Sequence, residues 1–181
     1  MDGFMGEESQ KGGSGVKARW RRLSGPLKRG YSRSVLVLEL NVKKIKSKTL
    51  LITGAASGIG AATARLAAER GHRVILADIN VEGARAVAEA IGENAVAAGL
   101  DITSEAQWDR VLDEAWARFG GLDVLVNNAA IVHAGRAENV SIAQHQRTLD
   151  VNFMGPARGM LKALPRFKKQ GSCYLVSVLW I

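Results

Sequence analysis

From Lys48 onward the chain alternates short apolar runs with stretches of helical periodicity, and that alternation restricts it to a parallel sheet covered by helices. "KTLLITG" reads as the first strand, followed by an Ala-rich helix over 59–70 that stops at Gly71. "RVILAD" is the second strand, and the helix over 81–91 carries Val81, Ala84, Ala88 and Ile91 on one face before Gly92. "AVAAGLD" is a weaker third strand, supported mainly by its place in the order. Ser104 and Gln107 have capping-box spacing. Behind them Trp108, Val111, Leu112, Ala115, Trp116 and Phe119 form one wide apolar stripe. "LDVLVNN" is the fourth strand, and 141–164 is mostly helical, with Pro156 predicted to break or kink it and Pro165 to end it. "CYLVSVLWI" closes the sequence as an uncharged run that reads as a buried fifth strand. Right-handed crossovers between five such strands give a doubly wound α/β sheet, Rossmann-like and incomplete.

A chain of 181 residues that is 47% hydrophobic can build one full core. Its net charge of +8 is unevenly spread: residues 1–48 hold 12 Lys and Arg against 4 Asp and Glu, while residues 49–181 hold 13 against 13. The head, residues 1–47, is rich in Gly, Ser, Lys and Arg without a sustained apolar period, so it is expected to be a disordered basic extension preceding a domain over 48–181. A solvated tail is the leading reading of that head. A nucleic-acid or anionic-membrane arm and a transit peptide are the competing ones. No stretch of 18 apolar residues occurs, which points to a soluble chain with a cytoplasmic default, no membrane partner and no specific nucleic-acid partner. Cys173 is the only cysteine, and His72, His133 and His145 lack metal-ligand spacing, so no metal site is expected.

The chemistry gathers where the first strand meets its helix, in "TGAASGIG". Glycines at 54, 58 and 60 let the backbone turn tightly and approach a pyrophosphate. The helix N-terminus behind them offers free N–H groups and a partial positive charge. Asp78 closes the second strand about 20 residues on, where a carboxylate accepts hydrogen bonds from the adenosine ribose hydroxyls and repels a 2′-phosphate. Ser57, Ile79 and Asn80 offer that phosphate no cation, so NAD is favoured over NADP. A carboxylate capping the next helix is the plainer reading of Asp78.

These motifs resemble those of the short-chain dehydrogenase/reductase family from about Lys48 to the end. "TGAASGIG" resembles that family's T-G-x-x-x-G-x-G loop, and "NNAA" at 127–130 is similar to its N-N-A-G, with Ala130 departing from the usual Gly. The resemblance implies cofactor contacts at Thr53, Gly54, Ser57, Gly58, Ile59, Gly60, Asn128, Ala129 and Ala130. It also implies that Asp101 touches the adenine amino group, with the backbone of Ile102 beside it.

In the resembled family a Tyr exchanges the substrate proton, with its pKa lowered by a Lys four residues later. A Ser polarises the substrate oxygen, and an Asn holds a proton-relay water. Asn152 in "LDVNFMG" matches that Asn. Laying "GSCYLVSV" on the family's serine segment puts Ser177 at the first serine and Val178 at the catalytic one. Neither Tyr31 nor Tyr174 has a Lys four residues on. The sequence therefore reads as the N-terminal cofactor-binding part of an oxidoreductase that moves hydride between an alcohol and a carbonyl compound, inactive as it stands. A non-catalytic NAD-binding or scaffold module is the alternative. His133 is a candidate for the substrate cleft, and by the same resemblance the helix around residues 152–164 is a candidate for self-association into a homo-oligomer.

Overall fold

The computed structural model describes residues 17–23, 35–41, 46–133 and 136–178, and its contacts divide the chain into two units, Met1–Lys46 and Ser47–Ile181. In the first unit β1 (Lys17–Leu23) and β2 (Val35–Asn41) pair antiparallel, with Lys17 opposite Asn41 and Leu23 opposite Val35. Composition predicts no regular structure there. The difference lies in the run "VLVLELN", whose Val and Leu residues favour extended backbone when a second strand is at hand. Residues 1–16, 24–34 and 42–45 lie outside the described residues.

The second unit is built on five parallel strands in the order β5-β4-β3-β6-β7: β3 (Thr49–Thr53), β4 (Arg73–Asp78), β5 (Ala95–Gly99), β6 (Val124–Asn127) and β7 (Tyr174–Ser177). Helices α1 (Gly58–Glu69), α2 (Val81–Ile91), α3 (Glu105–Phe119), α4 (Ile142–Leu149) and α5 (Gly155–Gln170) connect them. Successive strand residues face opposite sides, and the core accordingly has two layers. Leu51, Ile75 and Leu125 pack with Trp108, Leu112, Ala163 and Phe167 of α3 and α5. Ile52, Val74 and Leu76 pack with the alanines of α1 and α2.

Trp108 is fully buried, and its Nε1 donates to the carbonyl of Ile102 at 2.9 Å, so the largest core side chain also anchors the loop that leaves β5. An ionic ladder ties α5 to α3: Lys162 Nζ lies 2.9 Å from Asp109 and 3.1 Å from Glu105, and Arg166 pairs with Asp113.

Four further expectations change on the structure. Pro165 does not end its helix, because α5 runs on to Gln170 and stops at Gly171 in the left-handed region. The residues beyond the proline offset its lost hydrogen bond: Phe167 is buried with its ring centroid 5.9 Å from that of Trp116, and the Gln170 amide bonds both backbone groups of Leu122. Pro156 does not break the helix either. A π turn over Asp150–Met154 joins α4 to α5, and the N–H of Gly155 donates back to the carbonyl of Asp150. The capping box at Ser104 is half formed, since Ser104 Oγ accepts from the N–H of Gln107 while the Gln107 side chain turns to the N–H of Asp101 at 2.8 Å. A complete box occurs instead at Ser141 and Gln144. Finally β7 is exposed, with Tyr174 at 61%, because among the described residues no strand or helix covers its far side.

Candidate cofactor-binding site

From β3 the sheet grows one way through β4 and β5 and the other way through β6 and β7, so a crevice opens where the C-terminal ends of β3 and β6 part. A cleft of about 460 Å³ occupies it, a size suited to a small ligand. Gly54 and Ser57 line it from the loop after β3, Gly58 and Ile59 from the start of α1, Asp78 and Asp101 with Ile102 from the ends of β4 and β5, and Asn128, Ala129 and Ala130 from the end of β6. Thr53, Gly60 and Asn152 are not on its wall.

Thr53 and Asn128 build the wall from behind. The Thr53 hydroxyl accepts from the N–H groups of Asn128 and Ala129, each at 3.0 Å, and donates to the carbonyl of Val126 at 3.3 Å. Asn128 Nδ2 donates to the carbonyls of Thr53 at 2.9 Å and Gly54 at 3.3 Å. The two loops are thus bolted together by buried side chains. Gly60 is required by the same closeness, since a Cβ there would stand 2.2 Å from the carbonyl oxygen of Gly54.

Gly58 has a different reason. Its φ is +53°, and the place a Cβ would occupy has no neighbour within 4 Å, so that face is open to a ligand. Ser57 caps α1 with extended backbone and no side-chain hydrogen bond, and no acidic residue stands in the first turn. The first-turn N–H groups and the positive end of the helix dipole are left for an anion. This cradle fits the diphosphate of a dinucleotide.

Asp78 Oδ2 accepts from the N–H of Ala56 at 2.9 Å and Oδ1 from the N–H of Asn80 at 2.9 Å. The carboxylate braces the glycine loop rather than capping α2, whose cap is Asn80, accepting from the N–H of Gly83. Each Asp78 oxygen keeps a lone pair for a ligand hydroxyl. Asp101 Oδ1 accepts from both the N–H and the hydroxyl of Thr103, at 2.9 and 2.7 Å. The Thr103 N–H, opposed by burial and helped by the Thr103 hydroxyl and the Arg147 and Arg158 guanidiniums, holds this carboxyl below the ordinary aspartate value.

Asn152, on the π turn, accepts from the N–H of Ile131 at 2.9 Å and donates to its carbonyl at 2.8 Å. His133 does not line the cleft. Its Nδ1 lies 3.0 Å from the hydroxyl of Thr148, which donates to the carbonyl of Gln144. Ser177 stands opposite Asn127 in register, within 3.4 Å of its Nδ2, and Val178 donates its N–H to the Asn127 carbonyl. Sequence reasoning missed the wall contributed by α4 and the π turn, Arg147 and Val151. The signal was their i, i+4 spacing, which puts both on one helix face.

The family model for short chain dehydrogenases matches residues 48–179. The chain is 36% identical over 135 residues to a 3-alpha-(or 20-beta)-hydroxysteroid dehydrogenase of Mycobacterium tuberculosis, covering 75% of this chain and 52% of that protein. It is 42% identical over 121 residues to a galactitol 2-dehydrogenase of Agrobacterium fabrum, covering 67% and 47%. In three dimensions it resembles a 3-ketoacyl-(acyl-carrier-protein) reductase from Brucella melitensis complexed with NADH, with a TM-score of 0.69 and 38% identity over 72% of this chain and 55% of that one. The chain spans about half the length of these relatives. Glycine cradle, strand order and sequence likeness agree, and the chain belongs to the short-chain dehydrogenase family.

Proposed function

We propose that the cleft binds NAD(H) and that the chain serves hydride transfer between a small-molecule alcohol and a carbonyl compound. The observation that carries this reading is Asp78, a carboxylate on the cleft wall at the end of β4 whose neighbours Ser57, Ile79 and Asn80 carry no cation. It suits a free ribose diol and disfavours a 2′-phosphate. The nicotinamide, when bound, supplies or accepts the hydride. The residues of this chain do the holding: the amides of the glycine loop take the diphosphate, Asp101 and the N–H of Ile102 face the adenine edge, and Ala129 and Ala130 wall the other end. Asn152 fixes Ile131. Each of its amide atoms keeps one further lone pair or hydrogen, which is what a proton-relay water would use.

Turnover is proposed for a protein that carries Tyr-x-x-x-Lys beyond β7. The second reading, a non-catalytic NAD-binding module, is favoured by Val178, which has no side-chain hydrogen to donate where the resembled family has its serine. The two part on turnover: NADH binding without consumption of NADH across a panel of aldehydes and ketones favours the second. The test of both is a titration with NADH and NADPH followed by calorimetry. The expected outcome is heat with NADH, weaker binding of NADPH, and loss of NADH affinity in Asp78→Ala. No heat with NADH at millimolar concentration would overturn the assignment.

We also infer self-association through α5 and the π turn, supported by Phe153 and Leu161, 68% and 70% exposed. Sedimentation of Leu161→Glu against the unmodified chain tests it, an unchanged mass being the adverse result. We propose a cytoplasmic place for such an enzyme; no helix among the described residues is long and apolar enough to cross a membrane.

A further inference from the structure

Among the described residues that line the cleft, three are charged: Asp78, Asp101 and Arg147. The first two have roles already. Arg147, exposed on α4, makes no hydrogen bond or ion pair with another described side chain within ordinary reach. It acts on Asp101 through charge alone, so its N–H donors on the wall of the cleft carry no hydrogen bond to a described residue and are open to a ligand.

Its counterpart on the ligand can be deduced from the groups its neighbours already satisfy. Asp101 commits Oδ1 to Thr103, and its Oδ2 carries no hydrogen bond from a described residue. The N–H of Ile102 likewise donates to none, because the Trp108 contact uses only the Ile102 carbonyl. A free carboxylate oxygen beside a free N–H is the complement of an adenine edge, which offers an amino donor next to a ring-nitrogen acceptor. With the edge so matched, the ring presents only its faces to the rest of the wall. The diphosphate is taken by the amides at the start of α1, at the loop after β3, whereas Arg147 belongs to the Asp101 end. A planar guanidinium there is placed to stack on the purine.

We propose that Arg147 lays its guanidinium against a face of the adenine ring and is thereby an adenine-binding residue of the cleft. The inference rests on the reading that the cleft takes a dinucleotide, and it adds a residue that this reading does not need. It predicts that planarity, and not charge alone, is what the position supplies.

The test uses the full chain and its Arg147→Ala and Arg147→Lys variants, both on an exposed helical position where either residue is a good helix former. Affinities for NADH, AMP and nicotinamide mononucleotide are measured by calorimetry, with circular dichroism confirming equal folding. Both variants are expected to weaken NADH and AMP roughly 5-fold or more and to leave nicotinamide mononucleotide unchanged. Full rescue by Lys would mean that the cation meets a phosphate and would overturn the proposal, as would equal AMP affinity in all three proteins. Failure of the unmodified chain to bind any adenine nucleotide would overturn the dinucleotide reading itself. A loss confined to Arg147 variants, or absent from them, speaks to this inference alone.

Discussion

Asn152 holds both polar groups of the Ile131 backbone, accepting from its N–H at 2.9 Å and donating to its carbonyl at 2.8 Å. One side chain on the helical layer thus fixes the extended segment that leaves β6. Replacing it by Ala orphans two half-buried backbone groups, and about 1–3 kcal/mol of stability should be lost in denaturant unfolding. Amide exchange at Ile131 should quicken in the same variant, well beyond any change in the strands.

Thr53→Val keeps the shape and removes the hydroxyl that serves Asn128, Ala129 and Val126. Two N–H groups then lose their acceptor in a site that is 2% exposed at Thr53. A loss of roughly 2–3 kcal/mol is expected, whereas Thr53→Ser should cost less than about 1 kcal/mol by keeping the hydroxyl. Equal stability of the two variants would contradict the bolted-loop description.

The glycines of the loop should separate by phenotype. Gly60→Ala drives a methyl against the backbone carbonyl of Gly54 and the buried amide of Asn128, so it should unfold at markedly lower denaturant. Gly58→Ala meets nothing in the protein, costs only about 1–2 kcal/mol for its left-handed backbone, and should remain folded. Its methyl projects toward the open side of the cradle, and NADH affinity should fall at least roughly 10-fold if the phosphates approach there.

Asp101 carries a pH signature. Its folded pKa lies below the unfolded value, so the stabilisation it brings is fully present above the unfolded value, about pH 4, and is lost as pH falls through the folded one. The stability difference between the unmodified chain and Asp101→Asn should stay constant from neutral pH down to about pH 5 and shrink only below about pH 4. A difference that already narrows above about pH 5 would place the titrating group elsewhere.

Pro165→Ala restores a helix hydrogen bond inside α5. The penalty for proline in a helix interior is about 3 kcal/mol, part of it already relaxed in the present geometry, so a gain of roughly 1–2 kcal/mol is expected in thermal or denaturant unfolding.

Much of the fold is legible in the sequence. Period and punctuation locate every strand of the parallel sheet and put Gly71 and Gly92 at helix ends, because those signals are local. The cleft is legible as a glycine turn plus a carboxylate at a fixed interval. The features that escape depend on contacts distant in sequence. Pro165 reads as a stop because the value of burying Phe167 against Trp116 cannot be seen from its own neighbourhood. Thr53 and Gly60 read as ligand contacts by their place in a motif, yet their side-chain space is filled by Asn128 and the carbonyl of Gly54. Gln107 has the spacing to cap its own helix and serves Asp101 instead. The exposure of β7 is invisible for the opposite reason: its apolar composition speaks for a partner that these strands do not supply.

The π turn inserts one residue into the helical winding between α4 and α5, shifting the phase of the downstream helix by about 100°. Two continuous helices therefore aim independently: α5 buries Gly155, Gly159, Ala163 and Phe167, while α4 buries none of its side chains and lends Arg147 to the cleft. Excising a single residue between Asp150 and Met154 would straighten the winding and force a choice between seating Phe167 and aiming Asn152, so this stretch should tolerate substitution far better than any change in its length.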